Sequence, residues 1–243
     1  MSLRTDRVRP SAERAGPTRP APSPFWDLYG RVYDAVWDSE VTRRTAHLTA
    51  DLAGARPGAT VVDLGCGTGL FSRAFQGEGR QVVGVDRSPV MLRRAQDRGR
   101  IGAGVQTDAT ATGLASGQAE VVVLANVLHV SDDPLDLLAE AIRLLSAERE
   151  ARLVCVVPTP QVSGHLLTRA ELDAGRSLPA VVTAQMVRAH FALLADLTGA
   201  VRRPDWDRLH GDLGRLEHVG WALEDSAIIA GCQEVRVYAR VQL

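Results

Sequence analysis

The sequence contains no lysine: all 28 basic residues are arginine, set against 29 acidic residues for a formal net charge of -1. The arginines are scattered along the chain, so no overall positive field exists to hold a phosphate backbone, and nucleic acid is not an expected partner. Cysteine is scarce. Cys66, Cys155 and Cys232 are odd in number and show no Cys-x-x-Cys or Cys/His ligand spacing, which excludes a disulfide framework and a zinc site. Nowhere do 18 apolar residues run together, and the arginine-bearing N-terminus lacks an apolar signal core. Neither a spanning helix, a membrane partner nor a signal peptide is therefore expected, and the expected compartment is the cytoplasm. No internal repeat is visible.

What is present suits one large folded domain carrying an insertion: 243 residues, 45% of them hydrophobic and 23% charged. Residues 1–24 are the exception. Five prolines and five arginines with almost no large apolar side chains predict a disordered tail there. Over 25–52, Trp26, Tyr29, Val32, Tyr33, Val36 and Trp37 recur at helical spacing and predict N-terminal cap helices.

Strand and helix signals alternate from there. Thr60–Leu64 and Gln81–Asp86 read as strands flanking a glycine turn, with a helix expected to begin over Leu70–Phe75. Ser88 and Pro89 have the chemistry of an N-cap and a first helical residue. Residues 101–106, 120–126 and 153–157 read as further strands, and Leu135–Leu145 as a helix with an apolar stripe. Such alternation means α/β architecture, a Rossmann-like, mostly parallel sheet with helices on both faces. The expected core is 53–157 together with 204–243, interrupted by a helical insertion over 158–203. An insertion of that length at the carboxyl end of a strand is expected to form a substrate cap, a homodimer contact or both.

Val61-Val62-Asp63-Leu64-Gly65-Cys66-Gly67-Thr68-Gly69 is the most informative stretch. Glycines there allow a tight turn after a strand and let a ligand lie against bare backbone. Asp86 ends the next strand, where a carboxylate can accept both hydroxyls of a ribose. Together they indicate an adenosine cofactor. A dinucleotide site favours Gly-x-Gly-x-x-Gly around a pyrophosphate, whereas this chain has Gly65-x-Gly67-x-Gly69 preceded by Asp63.

In this, the sequence resembles the class I S-adenosylmethionine-dependent methyltransferases, whose first strand ends in an acidic-x-Gly-x-Gly-x-Gly motif. The resemblance spans roughly residues 25–157 plus the terminal strands. It implies a seven-stranded sheet with an antiparallel last strand, S-adenosyl-L-methionine as cofactor, and S-adenosyl-L-homocysteine as product. It further implies Asp63 and Gly65, Cys66, Gly67 and Gly69 along the methionine part, Asp86 on the ribose, and Arg87 and Met91 beside the adenine. Asp108 and Ala109 would meet the adenine amino group, Asn126 the cofactor's amino-acid end, and Tyr29 and Tyr33 would close over it. The family's Pro-Gly-Gly turn before the fifth strand is replaced by residues 146–152.

Methyl transfer from a sulfonium is an in-line displacement, so alignment and exclusion of water are the main tasks. A base helps where the nucleophile is a hydroxyl or a cationic amine, and His129, just beyond the fourth strand, is the candidate. The expected acceptor is a small molecule of bacterial secondary metabolism, methylated on O, N or C. Two rivals stand beside this reading. One is a cofactor-binding protein that does not methylate, such as a cyclase or regulatory subunit. The other is an NAD(P)-dependent oxidoreductase, against which stand the glycine spacing, Asp63 and the lack of any Tyr-x-x-x-Lys pair.

Overall fold

A computed structural model describes residues 24–147, 150–199, 201 and 205–241. The tail expected over 1–24 lies, apart from Pro24, outside the described residues, as do residues 148 and 149 of the 146–152 turn. The apolar spacing after Pro24 produces three helices, α1 (Pro24–Gly30), α2 (Tyr33–Trp37) and α3 (Glu40–Ala53). Ser39 caps α3 by accepting from the Thr42 N–H at 3.2 Å, and Gly54 ends it in left-handed backbone.

The β-branched runs assemble one sheet from β1 (Thr60–Leu64), β2 (Gln81–Asp86), β3 (Ala103–Gln106), β4 (Val121–Ala125), β5 (Arg152–Pro158), β6 (Trp221–Ile229) and β7 (Gln233–Arg240). Their order is β3-β2-β1-β4-β5-β7-β6. The first five pair in parallel, and β7 runs antiparallel to both β5 and β6. Strands buried on both faces explain the continuous Val/Leu composition of β1, β4 and β5.

Because successive strand side chains point to opposite faces, each face has its own helices. Val62, Leu64, Val122 and Leu124 pack with Leu137 and Leu144 of α5 (Pro134–Leu144) and Leu213 of α8 (Trp206–His218). Val61, Val121, Val123 and Val154 pack on the other side with Ala46 of α3 and with Leu92 and Ala95 of α4 (Pro89–Asp97). Burial of a leucine in such a layer contributes about 2 kcal/mol.

One expected helix is missing. The chain after the glycine turn forms only a single 3-10 turn, Ser72–Phe75, because Gly77, Glu78 and Gly79 follow with positive φ and turn it toward β2. Within 158–203 the described residues carry two helices, α6 (Gly164–Asp173) and α7 (Leu178–Thr198). One helix bears on the expectation of no spanning helix, by length and composition only. α7 is long and apolar enough to cross a membrane, since its mean hydropathy reaches 1.3 although polar residues interrupt the run. Leu178, Val182, Met186, Leu193 and Leu197 are its exposed apolar residues. On its inner side Phe191 stacks on Tyr29 at 4.2 Å, and Arg188 lies over the Trp37 ring and donates to the Val36 carbonyl.

Candidate cofactor and acceptor site

The strand order reverses between β1 and β4, and at the carboxyl ends of such strands an open α/β sheet forms its ligand crevice. A cleft of about 990 Å³, partly open to solvent, lies there. Of the fourteen residues expected in the site, eleven line it: Tyr33, Asp63, Gly65, Cys66, Gly67, Asp86, Arg87, Met91, Asp108, Ala109 and Asn126.

The glycine turn is built by sterics and by hydrogen bonds. Gly65 has φ +72°, and a Cβ there would fall 2.5 Å from Val127 Cγ2, so no side chain fits. The Gly65 and Cys66 N–H groups both donate to the Val85 carbonyl, at 2.8 and 2.9 Å, which seats the turn over β2. Cys66 faces the cleft, but burial pushes its thiol well above the ordinary value and keeps it neutral.

Asp86 is the hub of the cofactor half. Its Oδ2 accepts from the Gly67 N–H at 2.9 Å and its Oδ1 from the Ser88 N–H at 2.8 Å. Burial raises its carboxyl above the usual range, opposed by those two bonds. Each oxygen keeps a further lone pair able to accept. Asp108, two residues beyond β3, forms a local turn by accepting from the Thr110 N–H and hydroxyl.

Asp63 is buried, accepts from the Ser72 hydroxyl at 2.5 Å through one oxygen, and has no partner for Oδ1. Burial is the main cause that pushes its carboxyl up to about 7. Asn126, held at φ +56°, likewise buries an Oδ1 without a partner.

Three expected residues stand off the wall. Gly69 serves packing, since a Cβ there would come within 2.8 Å of Arg100 Cβ and 3.3 Å of Ala95 Cβ. Tyr29 is buried behind Tyr33, its hydroxyl accepting from Trp37 Nε1 at 2.7 Å and its ring against Phe191. His129 also stands off the wall. It sits in the 3-10 turn Leu128–Val130, whose successive side chains diverge by about 120°. Its ring is stacked on Trp206, with centroids 6.3 Å apart, while neighbouring Val130 and Ser131 line the cleft. Burial lowers its pKa to about 4, and Nδ1 has no partner.

Sequence reasoning also missed Trp26, Phe71, Val130 and Ser131 on the wall. Trp26 was visible only as one member of an amphipathic set. Val130 and Ser131 directly follow His129 in the chain but carry no sequence signal of their own. No described residue of 158–203 lines the cleft, which α1 and α2 cover through Trp26 and Tyr33, while Arg176 and Phe191 of that segment pack on α1 and α2.

The wall decides between cofactor classes. Asp63, Asp86 and Asp108 bring three carboxyl groups to it, and among the described residues no full helix follows the glycine turn to aim N–H groups at a pyrophosphate. Comparisons with known proteins agree. Residues 62–148 match the methyltransferase-domain family. The demethylmenaquinone methyltransferase of Renibacterium salmoninarum is 34% identical over 182 residues, 74% of each chain. A ubiquinone biosynthesis O-methyltransferase of Xanthomonas campestris pv. campestris is 28% identical over 166 residues, covering 63% of this chain and 69% of that one.

The chain belongs to the S-adenosylmethionine-dependent methyltransferases.

The fold of this methyltransferase is shared with a SAM-dependent methyltransferase from Aquifex aeolicus, at TM-score 0.55 and 16% identity over 91% of this chain and 99% of that one. It is also shared with magnesium protoporphyrin IX methyltransferase of Synechocystis PCC 6803 with bound SAH, at TM-score 0.54 and 16% identity over 83% of each chain. S-adenosylmethionine is the cofactor, and the residues present fit it. The orphaned buried oxygen of Asp63 suits a cationic amino group, and Asp86 suits a pair of hydroxyls.

Proposed function

We propose that the protein transfers the methyl group of S-adenosylmethionine to an oxygen, nitrogen or carbon nucleophile of a small, uncharged and largely apolar acceptor. The observation that carries this reading is the make-up of the cleft wall, where Asp63, Asp86 and Asp108 stand together with the apolar side chains of Trp26, Phe71 and Val130. Asp63 and Asn126 would hold the amino-acid end of the cofactor, Asp86 the ribose, and Arg87, Met91, Asp108 and Ala109 the adenine. Bound there, S-adenosylmethionine supplies an electrophilic methyl group. The chain's own contribution is to align the acceptor and exclude water, which α1 and α2 favour by covering the cleft with Trp26 and Tyr33. The names of two relatives, a demethylmenaquinone and a ubiquinone-pathway methyltransferase, support a ring-bearing acceptor of low polarity.

The test is incubation of the purified protein with methyl-labelled cofactor and a panel of phenols, quinols and amines, read by mass spectrometry. Label on a phenol or quinol is the expected result. Tight cofactor binding with no transfer to any acceptor would overturn methylation in favour of a non-methylating role, and preferred transfer to charged amines would overturn the apolar-acceptor assignment.

A further inference from the structure

The cap helices are latched to both loops of the cofactor half by matching bonds. From the glycine turn, the Thr68 hydroxyl donates to Asp34 Oδ1 of α2 at 2.5 Å. From the loop after β2, the Ser88 hydroxyl donates to Asp27 Oδ1 of α1 at 2.5 Å. Thr68 is gripped twice, because Arg100 Nη1 donates both to its carbonyl at 3.0 Å and to Asp34 Oδ2 at 3.1 Å. Arg98 reaches the same Asp34 oxygen, and Asp38 pairs with Arg100 and Arg73 at 2.6 and 2.7 Å. Thr68, Asp34 and Arg100 are all buried.

The grip matters because of what Gly67 lacks. Gly65 and Gly69 are wedged by neighbours that a Cβ would strike at 2.5 and 2.8 Å, whereas a Cβ on Gly67 would meet nothing nearer than Met91 Sδ at 4.0 Å. No side-chain wedge opposes the Gly67 Cα as it does at Gly65 and Gly69, so contact of that kind does not fix its peptide. Hydrogen bonds do, from Asp86 on one side and through Thr68 on the other. Apolar residues of similar volume could supply comparable stability at a buried ion cluster, so its distinctive contribution is orientation. Asp34 also follows Tyr33, which lines the cleft, so one carboxylate relates the cap wall to the glycine turn.

We infer that Asp34 is a positioning residue which sets Gly67 through Thr68 and couples seating of the cap to cofactor affinity. This rests on the placement of the cofactor along Gly67 proposed above. The test is calorimetric titration of the full chain with S-adenosylhomocysteine, with melting temperature measured alongside. Thr68→Val keeps the volume and loses the hydroxyl, and Thr68→Ser keeps the hydroxyl and loses the methyl. Val is expected to weaken binding about tenfold, or about 1.4 kcal/mol, while Ser binds like the wild type. Asp34→Asn should weaken binding similarly and add little to Thr68→Val. Asp38→Asn, in the same cluster but not touching the turn, should lower the melting temperature and leave affinity unchanged. Wild-type affinity in Thr68→Val, equal weakening by Ser and Val, or equal weakening by Asp34→Asn and Asp38→Asn would each overturn the inference. Failure of the wild type to bind would instead overturn the placement of the cofactor.

Discussion

Two neighbouring turns line the cleft, one after β1 and one after β4, and they are finished differently. Each leaves its strand through a left-handed residue, Gly65 at φ +72° and Asn126 at φ +56°. After β1 the chain satisfies its own polar groups, with the Gly65 and Cys66 N–H groups on Val85 and that of Gly67 on Asp86. After β4, Asn126 Oδ1 and His129 Nδ1 are buried without partners. A buried polar group left unpaired is costly, and the backbone of the first turn avoids that cost within the protein. That backbone is thus a finished mould, whereas the side-chain oxygens Asp63 Oδ1 before it and Asn126 Oδ1 after β4 are both unpaired.

The largest expected effect breaks the mould itself. Gly65→Ala combines left-handed backbone with a contact 2.5 Å from Val127. It should cost roughly 2–5 kcal/mol of stability, seen as a melting temperature lowered by several degrees or more. Gly67→Ala meets no such contact, so its melting temperature should fall by only a few degrees while affinity for S-adenosylhomocysteine drops more than about tenfold. Equal loss of stability in both variants would mean that the turn is shaped by backbone strain and not by the Val127 wedge.

A smaller effect separates Asp63 from the rest of its turn. Burial raises its pKa from 3.8 to about 7. A carboxyl raised above its unfolded value contributes stability that is fully present below about pH 3.8 and is lost as pH rises through about 7. The ligand-free melting temperature should carry that decline, and Asp63→Asn should remove it. Affinity for S-adenosylhomocysteine should rise between about pH 6 and 8 in the wild type, as the ionised carboxylate gains a cationic partner, and stay flat in the variant. A wild-type affinity independent of pH would place the cofactor's amino group elsewhere.

The smallest effect concerns the β4 side. His129 packs on Trp206, so His129→Phe should leave turnover within about threefold, far from the 10²- to 10⁴-fold that a base typically contributes. With a folded pKa of about 4 against 6.5, the neutral imidazole contributes stability above about pH 6.5 that is lost as pH falls toward 4. The Phe variant should therefore gain stability relative to wild type across that window. A hundredfold loss of turnover with cofactor binding intact would return His129 to the reaction.

Much of the cofactor half was legible because its signals are local. The Asp63–Gly69 motif and Asp86 sit at strand ends, and strand ends at a switch point share one edge. Gly69 shows the limit of such reading: its spacing matches the motif, yet its backbone is opposed by Arg100 and Ala95 and not by ligand space. The Asp34–Thr68–Arg100 cluster was not legible at all, since its members are 34 and 32 residues apart and carry no periodicity.

By itself the sequence determined the alternation of strands and helices, the glycine turn and its acidic partners, because apolar period, β-branched runs and glycine act over a few residues. Only the tertiary structure decided which way His129 turns, that α1 and α2 and not the 158–203 insertion cover the cleft, and that Gly67 is held by bonds where Gly65 and Gly69 are held by contact. Those outcomes depend on which surfaces meet once the sheet has formed, and a single chain read in order holds no record of its distant neighbours.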